Sequence, residues 1–273
     1  MDNKSSEQLH EQYKKKFKHD KRIIFAWQLV ILALFFGLWE LASSLLWIDP
    51  LLFSSPSKVV TQIIDKFADG NFLVHLQVTV VETIIGFLIG TVLGVILATI
   101  LWTSSKVAQV TNPYLFTANV MPKVALGPII IVALGPGYLA ITAMGALISA
   151  VITTLVVYSA FKEVDPNYVN LLKSFGASRA QCFREAVFPA TLPTIISTLK
   201  VNVGLSWVGI IVGEFLVSKE GLGYLIIHGF QVFDFTLVMS ALLLIAVCAA
   251  IMYKVVEKME HVLMKHTLIN QKK

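Results

Sequence analysis

The chain has 273 residues, of which 56% are hydrophobic and only 14% charged, whereas soluble domains run at roughly 45–50% and about 25%. This excludes an ordinary soluble domain and predicts an all-α, polytopic transmembrane helical bundle. The formal net charge of +5 does not indicate a nucleic-acid partner, because the basic residues gather beside apolar runs where a lipid bilayer accounts for them. Cys182 and Cys248 imply no disulfide and form no metal-ligand spacing.

Residues 1–22 carry seven basic side chains (Lys4, Lys14, Lys15, Lys16, Lys18, Lys21 and Arg22). They are too charged for a typical cleaved signal peptide and are expected to form a cytoplasmic, partly ordered arm on an anionic membrane surface. A transmembrane domain, 23–257, and a cytoplasmic tail, 258–273, follow. Each helical crossing needs about 20 apolar residues, and six such runs occur, at 24–46, 73–101, 107–134, 139–161, 191–217 and 235–256. Trp27 and Trp47 bracket the first run as interfacial anchors, and Trp102 closes the second. Between those runs, 57–67 reads as a short amphipathic helix opened by Pro56.

The second run carries Gly86, Gly90, Gly94 and Ala98 at four-residue spacing, a small-residue face on which another helix can pack closely. That helix belongs either to the same subunit or to a neighbouring one. The third run is interrupted by Asn112-Pro113, Pro122, Gly127-Pro128 and Gly135-Pro136-Gly137. It is predicted to be kinked, either beside a translocation path or locked by neighbouring helices.

Between the fourth and fifth runs lies a polar loop, 162–189. Asp165-Pro166 reads as an N-cap followed by proline at the first helical position. Tyr168, Leu171, Leu172 and Phe175 share one face by their i, i+3, i+4, i+7 spacing, and Gly176 ends that helix. Ser178 with Gln181 forms a capping box for a second short helix, and Pro189 and Pro193 mark entry to the fifth run. An apolar stripe on such a loop implies a partner groove.

The basic residues orient the chain. The arm holds seven, Lys106 stands between the second and third runs, the loop holds four, and the end of the sixth run with the tail holds five (Lys254, Lys258, Lys265, Lys272 and Lys273). Only Lys58, Lys66 and Lys219 fall on the opposite side. The positive-inside rule then makes both termini and the loop cytoplasmic. Within the runs, Glu40, Glu82, Lys123 and Glu214 are costly and therefore suspect, with Asn119, Asn202 and Ser206 as weaker cases. The third and fifth runs are expected to line a path, with Asn119, Lys123, Asn202, Ser206 and Glu214 as its candidates. Lys123 would either pair with a buried carboxylate or border the cavity. No catalytic constellation and no G-x-x-x-x-G-K-[ST] phosphate loop is present, so the chain is not its own ATPase.

Gly176-Ala177-Ser178-Arg179 and Phe188-Pro189 resemble the cytoplasmic loop of bacterial ABC-importer permeases, whose pattern is E-A-A-x3-G-x9-I-x-L-P. The glycine and proline match; Asn170-Leu171-Leu172 replaces the triplet and Ala186 the isoleucine. Pro122-Lys123-Val124-Ala125, Gly127-Pro128, Gly135-Pro136-Gly137, Gly213-Glu214-Phe215 and Gly221-Leu222-Gly223-Tyr224 resemble the nitrate/sulfonate/taurine-type branch. The resemblance implies the type I importer permease fold in a bacterial inner membrane. It also implies a loop (Asp165, Tyr168, Leu171, Leu172, Phe175, Gly176, Ala177, Ser178, Arg179, Pro189) that docks on a separate ATP-binding subunit. Two such subunits would bind ATP and Mg²⁺, leaving this chain without a cofactor. A second permease copy, forming a homodimer, and an extracytoplasmic binding protein complete the expected partners. The implied cargo is a small sulfonate-, taurine- or nitrate-like anion, or alternatively a vitamin-type heterocycle such as a thiamine-precursor pyrimidine or riboflavin. A stand-alone channel or ion-driven transporter is the competing class.

Overall fold

The computed structural model describes residues 2–270, with side chains from Tyr13 to Met264 apart from Lys15 and Lys18. The tail residues Lys272 and Lys273 lie outside the described residues. Every regular element described is helical. In chain order these are α1 (Asp2–Ser44), α2 (Pro50–Phe53), α3 (Pro56–Ala68), α4 (Asn71–Thr103), α5 (Ser105–Val120), α6 (Gly127–Leu134), α7 (Tyr138–Glu163), α8 (Pro166–Ser174), α9 (Arg179–Cys182), α10 (Phe188–Val217), α11 (Leu222–Gln231) and α12 (Phe235–Asn270). Five helices are long and apolar enough to cross a membrane, and α5 with α6 makes a sixth, bent crossing.

The centre is a three-helix seam of α4, α7 and α10. Gly86 abuts Thr142 and Ala146, Gly90 abuts Ala146 and Ser149, and Gly94 abuts Ala150 and Thr153. The numbers rise together, so α4 and α7 run parallel. On the other side of α7, Gly145 meets Ser206 and Ile210, while Gly213 meets Ile141, so α10 runs antiparallel to both. Small residues on each face let the backbones approach where side chains would otherwise hold them apart. Gly86, Gly90 and Gly94 thus pack within the subunit, the first of the two arrangements the spacing allowed.

Because α4 and α7 are parallel, the chain between them must return across the full thickness. It does so through α5, a 3₁₀ turn at Lys123–Leu126 and α6, with a 100° bend between the two halves. The bend falls where Met121 is extended ahead of Pro122, as the steric clash of a proline ring with its predecessor dictates. Pro113 sits inside α5 without ending it. The expected kink is therefore a near right angle at one proline, not a distributed disturbance.

Residues 2–22 continue without a break into the first span as one helix, Asp2–Ser44. The second loop helix is not separate: α9 passes through a π turn, Phe183–Val187, directly into α10. Pro189 opens α10 and lacks an N–H, so the wider turn accommodates the hydrogen bond it cannot make. Helix α11, absent from the sequence reading, buries Leu222, Leu225 and Ile226 against Phe72, Leu237, Val238 and Ala241.

These directions set the polarity of the bundle. One end, the loop end, gathers the last turn of α4, the last turn of α7, α8, α9 and the C-terminal half of α12. The other, the α3 end, gathers the starts of α4, α7 and α12 with α3 and α11. Helix α1 joins the bundle only near its C-terminus. There Glu40 accepts hydrogen bonds from the Ser57 amide (2.9 Å) and hydroxyl (2.8 Å), and Trp39 Nε1 donates to Phe53 O. None of the apolar stretch of α1 is buried.

Candidate functional site

At the loop end, the Asp165 side chain accepts from Asn167 N at 2.9 Å and Pro166 opens α8. Gly176 takes φ +80° and ends the helix, a left-handed conformation that costs a side-chain-bearing residue energy. Ser178 and Gln181 form the reciprocal capping box. Helix α8 buries nothing: Tyr168, Leu171 and Phe175 are exposed, the last at 81%, and Leu172 is half-buried. An apolar stripe of this kind, on a helix with both ends fixed, is what a helix-in-groove contact requires.

The loop is tied to the bundle at one side. Arg179 donates to Trp102 O at 3.1 Å and lies 5.5 Å from the Trp102 ring. Trp102 and Phe161 each pack on Phe183, with centroids 5.1 and 5.2 Å away. A displacement of α9 is thereby felt at the ends of both α4 and α7. Trp102, read from sequence as an interfacial anchor, is also the seat of Arg179. Cys182 is buried beneath the same turn.

The candidate path residues separate into two groups. Asn202 is fully buried and its Nδ2 donates to Thr91 Oγ1 (2.9 Å) and Thr153 Oγ1 (2.6 Å). Ser206 and Ser149 hydroxyls pair at 2.7 Å. These groups join α10 to α4 and α7 within the subunit. Their partners Thr91, Ser149 and Thr153 were missed because a lone hydroxyl in an apolar run gives no signal in isolation. Lys123 and Asn119 sit away from them, at the α5–α6 bend. From the 3₁₀ turn, Lys123 Nζ donates to Asn119 O at 2.9 Å, satisfying a carbonyl at the end of α5, and no ion pair to Lys123 occurs among the described residues. The expected pairing with a buried carboxylate is absent.

Glu214 does something else. Its Oε1 accepts from Thr79 (2.7 Å) and its Oε2 from the Gly223 amide (2.6 Å). Thr79 accepts in turn from Leu222 N (2.7 Å), and His75 Nδ1 from Gly221 N (3.0 Å). The unsatisfied amides at the start of α11 are thus capped by side chains from α4 and α10, which fixes the Gly221-Leu222-Gly223 turn. Gly221 has φ +105° and no room for a Cβ beside the Glu214 carboxyl. Glu82, one helical turn from Thr79, is 2% exposed and faces the Glu214 carboxyl. No group of three or more potential metal ligands occurs among the described residues.

A family model described as the binding-protein-dependent transport system inner membrane component matches residues 90–263. The formylaminopyrimidine transport permease protein of Halalkalibacterium halodurans is 27% identical over 227 residues, 83% of this chain and 90% of the relative. The taurine transport system permease protein of Escherichia coli K12 is 23% identical, over 85% and 89% of the two chains. Among solved structures, a bacterial ABC transporter involved in import of the acidic polysaccharide alginate superposes with TM-score 0.62 at 15% identity, covering 90% of this chain and 98% of that one. That likeness establishes the fold.

Proposed function

The chain belongs to the family of binding-protein-dependent transport system inner membrane components, so it is a multi-pass permease subunit without its own ATPase site; from that premise we propose how it works and what it carries. It assembles as a homodimer, each copy presenting α8 to one of two ATP-binding subunits, which hold ATP and Mg²⁺. The observation that carries this reading is the exposed stripe of Tyr168, Leu171 and Phe175 on a helix capped at both ends. ATP-driven closure of the partner subunits moves α8 and α9, and Arg179, Trp102 and Phe183 pass the displacement to α4 and α7. The basic-residue bias puts the loop end and both termini in the cytoplasm and the α3 end outward, facing an extracytoplasmic binding protein.

Two cargo classes follow from the relatives: a sulfonate- or taurine-like anion, and a vitamin-type heterocycle of the formylaminopyrimidine kind. The test is reconstitution in proteoliposomes with the ATP-binding subunit and the binding protein. Uptake should require ATP and both partners. Uptake by the permease alone, driven by an ion gradient or by diffusion, would replace this reading with the channel or ion-driven class.

A further inference from the structure

Helix α3 divides into three faces. The inner face packs on the bundle: Val59 is buried, Ile63 joins the cluster around Phe72 and Leu222, and Gln62 Nε2 donates to Asp234 at 3.1 Å. Roughly a third of a turn to one side stand Lys58, Thr61 and Asp65, all exposed. Roughly a third of a turn to the other side stand Val60 and Ile64, 50% and 62% exposed. Phe67 continues this second stripe, with its ring edge-on to Phe72. A helix between protein and water is polar on both flanks, and one inside hydrocarbon is apolar all round. One flank of each kind sets the helix at the boundary between the two media. The apolar flank also continues a surface that lipid already covers. None of the apolar stretch of α1 is buried, and α1 leads through Leu46 and Trp47 to Leu51, all more than 70% exposed. The bonds from Ser57 to Glu40 hold the first turn of α3 on the last turns of α1, which joins the two surfaces.

We propose that α3 is an interfacial anchor whose Val60, Ile64 and Phe67 flank, with Leu46, Trp47 and Leu51 ahead of it, is immersed at the headgroup–acyl boundary of the leaflet at that end. The partner is a lipid surface, and Trp47 suits that layer because its ring is apolar with one polar edge. Lys58 and Lys66 are matched in number by Asp65 and Asp69, so apolar area drives the contact and zwitterionic lipid suffices. Immersion of one flank leaves the other, with Lys58, Thr61 and Asp65, in water. That polar flank is the one free to meet a partner arriving from solution. The proposal rests on the chain crossing a bilayer and not on the importer reading.

The test uses the permease with its ATP-binding subunit in nanodiscs of phosphatidylcholine. p-Acetylphenylalanine replaces Val60, Thr61, Ile64 or Asp65, one at a time, and carries a nitroxide, so Cys182 and Cys248 stay as they are. Relaxation of the nitroxide by oxygen, which concentrates in lipid, and by a water-soluble nickel chelate then reports its depth. Labels at Val60 and Ile64 should sit about 5–10 Å into the headgroup–acyl boundary and respond more to oxygen, whereas labels at Thr61 and Asp65 should respond more to the chelate. Adding phosphatidylglycerol should leave these depths unchanged. Chelate access at Val60 and Ile64 equal to that at Thr61 would put the flank in water and overturn the proposal. Exclusion of both reagents would mean that protein covers the flank, a second permease copy for instance, and would overturn it equally. A depth seen only with phosphatidylglycerol would overturn its apolar basis. All four positions are exposed, and either apolar position alone decides the outcome if the other variant fails to assemble. Failure of the importer reading would appear elsewhere, as loss of ATP dependence in uptake, with the depth pattern intact.

Discussion

Helices α7 and α8 are neighbours in sequence, separated by two residues, yet they solve opposite problems. Helix α7 buries small and hydroxyl residues on both faces, including Gly145, Ser149, Thr153 and Thr154, because α4 and α10 close over it. Helix α8 carries larger apolar side chains and buries none of them. In α7 the small-residue faces are answered by α4 and α10 of the same chain, whereas in α8 Val169 packs on the bundle while Tyr168, Leu171 and Phe175 stay exposed. The difference separates what holds the subunit together from what it offers to another one. Substitutions in α7's surroundings should act on assembly of the permease, and substitutions in α8 on its use.

The largest effect should come from Gly90→Leu. A Cβ there would stand 2.7 Å from Ser149 Cβ and 3.0 Å from Ala146 Cα, so α4 and α7 must separate. The cost should be about 3 kcal/mol or more, seen as loss of folded yield and a lowered melting temperature in detergent. A wild-type melt would break the contrast at its strongest point. Next comes Asn202→Leu, which removes the donors to Thr91 and Thr153. Interhelical hydrogen bonds in membranes are worth about 0.6 kcal/mol on average and up to about 1.7, so a loss of roughly 1–2 kcal/mol for two bonds is expected. Path-lining would instead leave stability unchanged and alter uptake.

Gly176→Val sharpens the other side of the contrast. No atom lies within 4 Å of the added Cβ, and only the positive φ resists it. The strain, about 1–2 kcal/mol, is confined to the end of α8. The bundle should melt as wild type while ATP hydrolysis proceeds with less uptake. The smallest effect belongs to Asp165→Ala, which removes the α8 N-cap at about 1 kcal/mol. Faster amide exchange restricted to α8 would be its signature, and exchange spreading into α7 would mean the two helices are not independent.

The sequence disclosed this contrast unevenly. The ends of α8 were legible because capping is local: Asp165-Pro166, Gly176 and the Ser178–Gln181 box each act within a few residues. The crossings were legible because lipid imposes a length and a composition. What was not legible depended on partners distant in sequence. Asn202 and Ser206 gave no sign of Thr91, Ser149 and Thr153, the partners they bond from distant runs. Glu214 read as a charge at depth, whereas it caps the start of α11 together with Thr79 and His75. Helix α11 was overlooked although Leu222, Leu225, Ile226 and Gly229 keep helical spacing, because ten residues between two long crossings read as a connection. The continuity of α9 with α10 was hidden by Pro189, which a π turn admits and a simple rule of helix starts does not.

The central claim is that the α8 stripe is the surface on which the ATP-binding subunit docks, and co-purification tests it most directly. Wild-type permease and a Leu171→Asp/Phe175→Asp double variant would be expressed with the ATP-binding subunit and recovered through a tag on the permease. The account expects the variant to reach the membrane and melt like wild type, since neither side chain is buried, yet to recover little or no ATP-binding subunit. Full recovery of the ATP-binding subunit by the folded variant would contradict it.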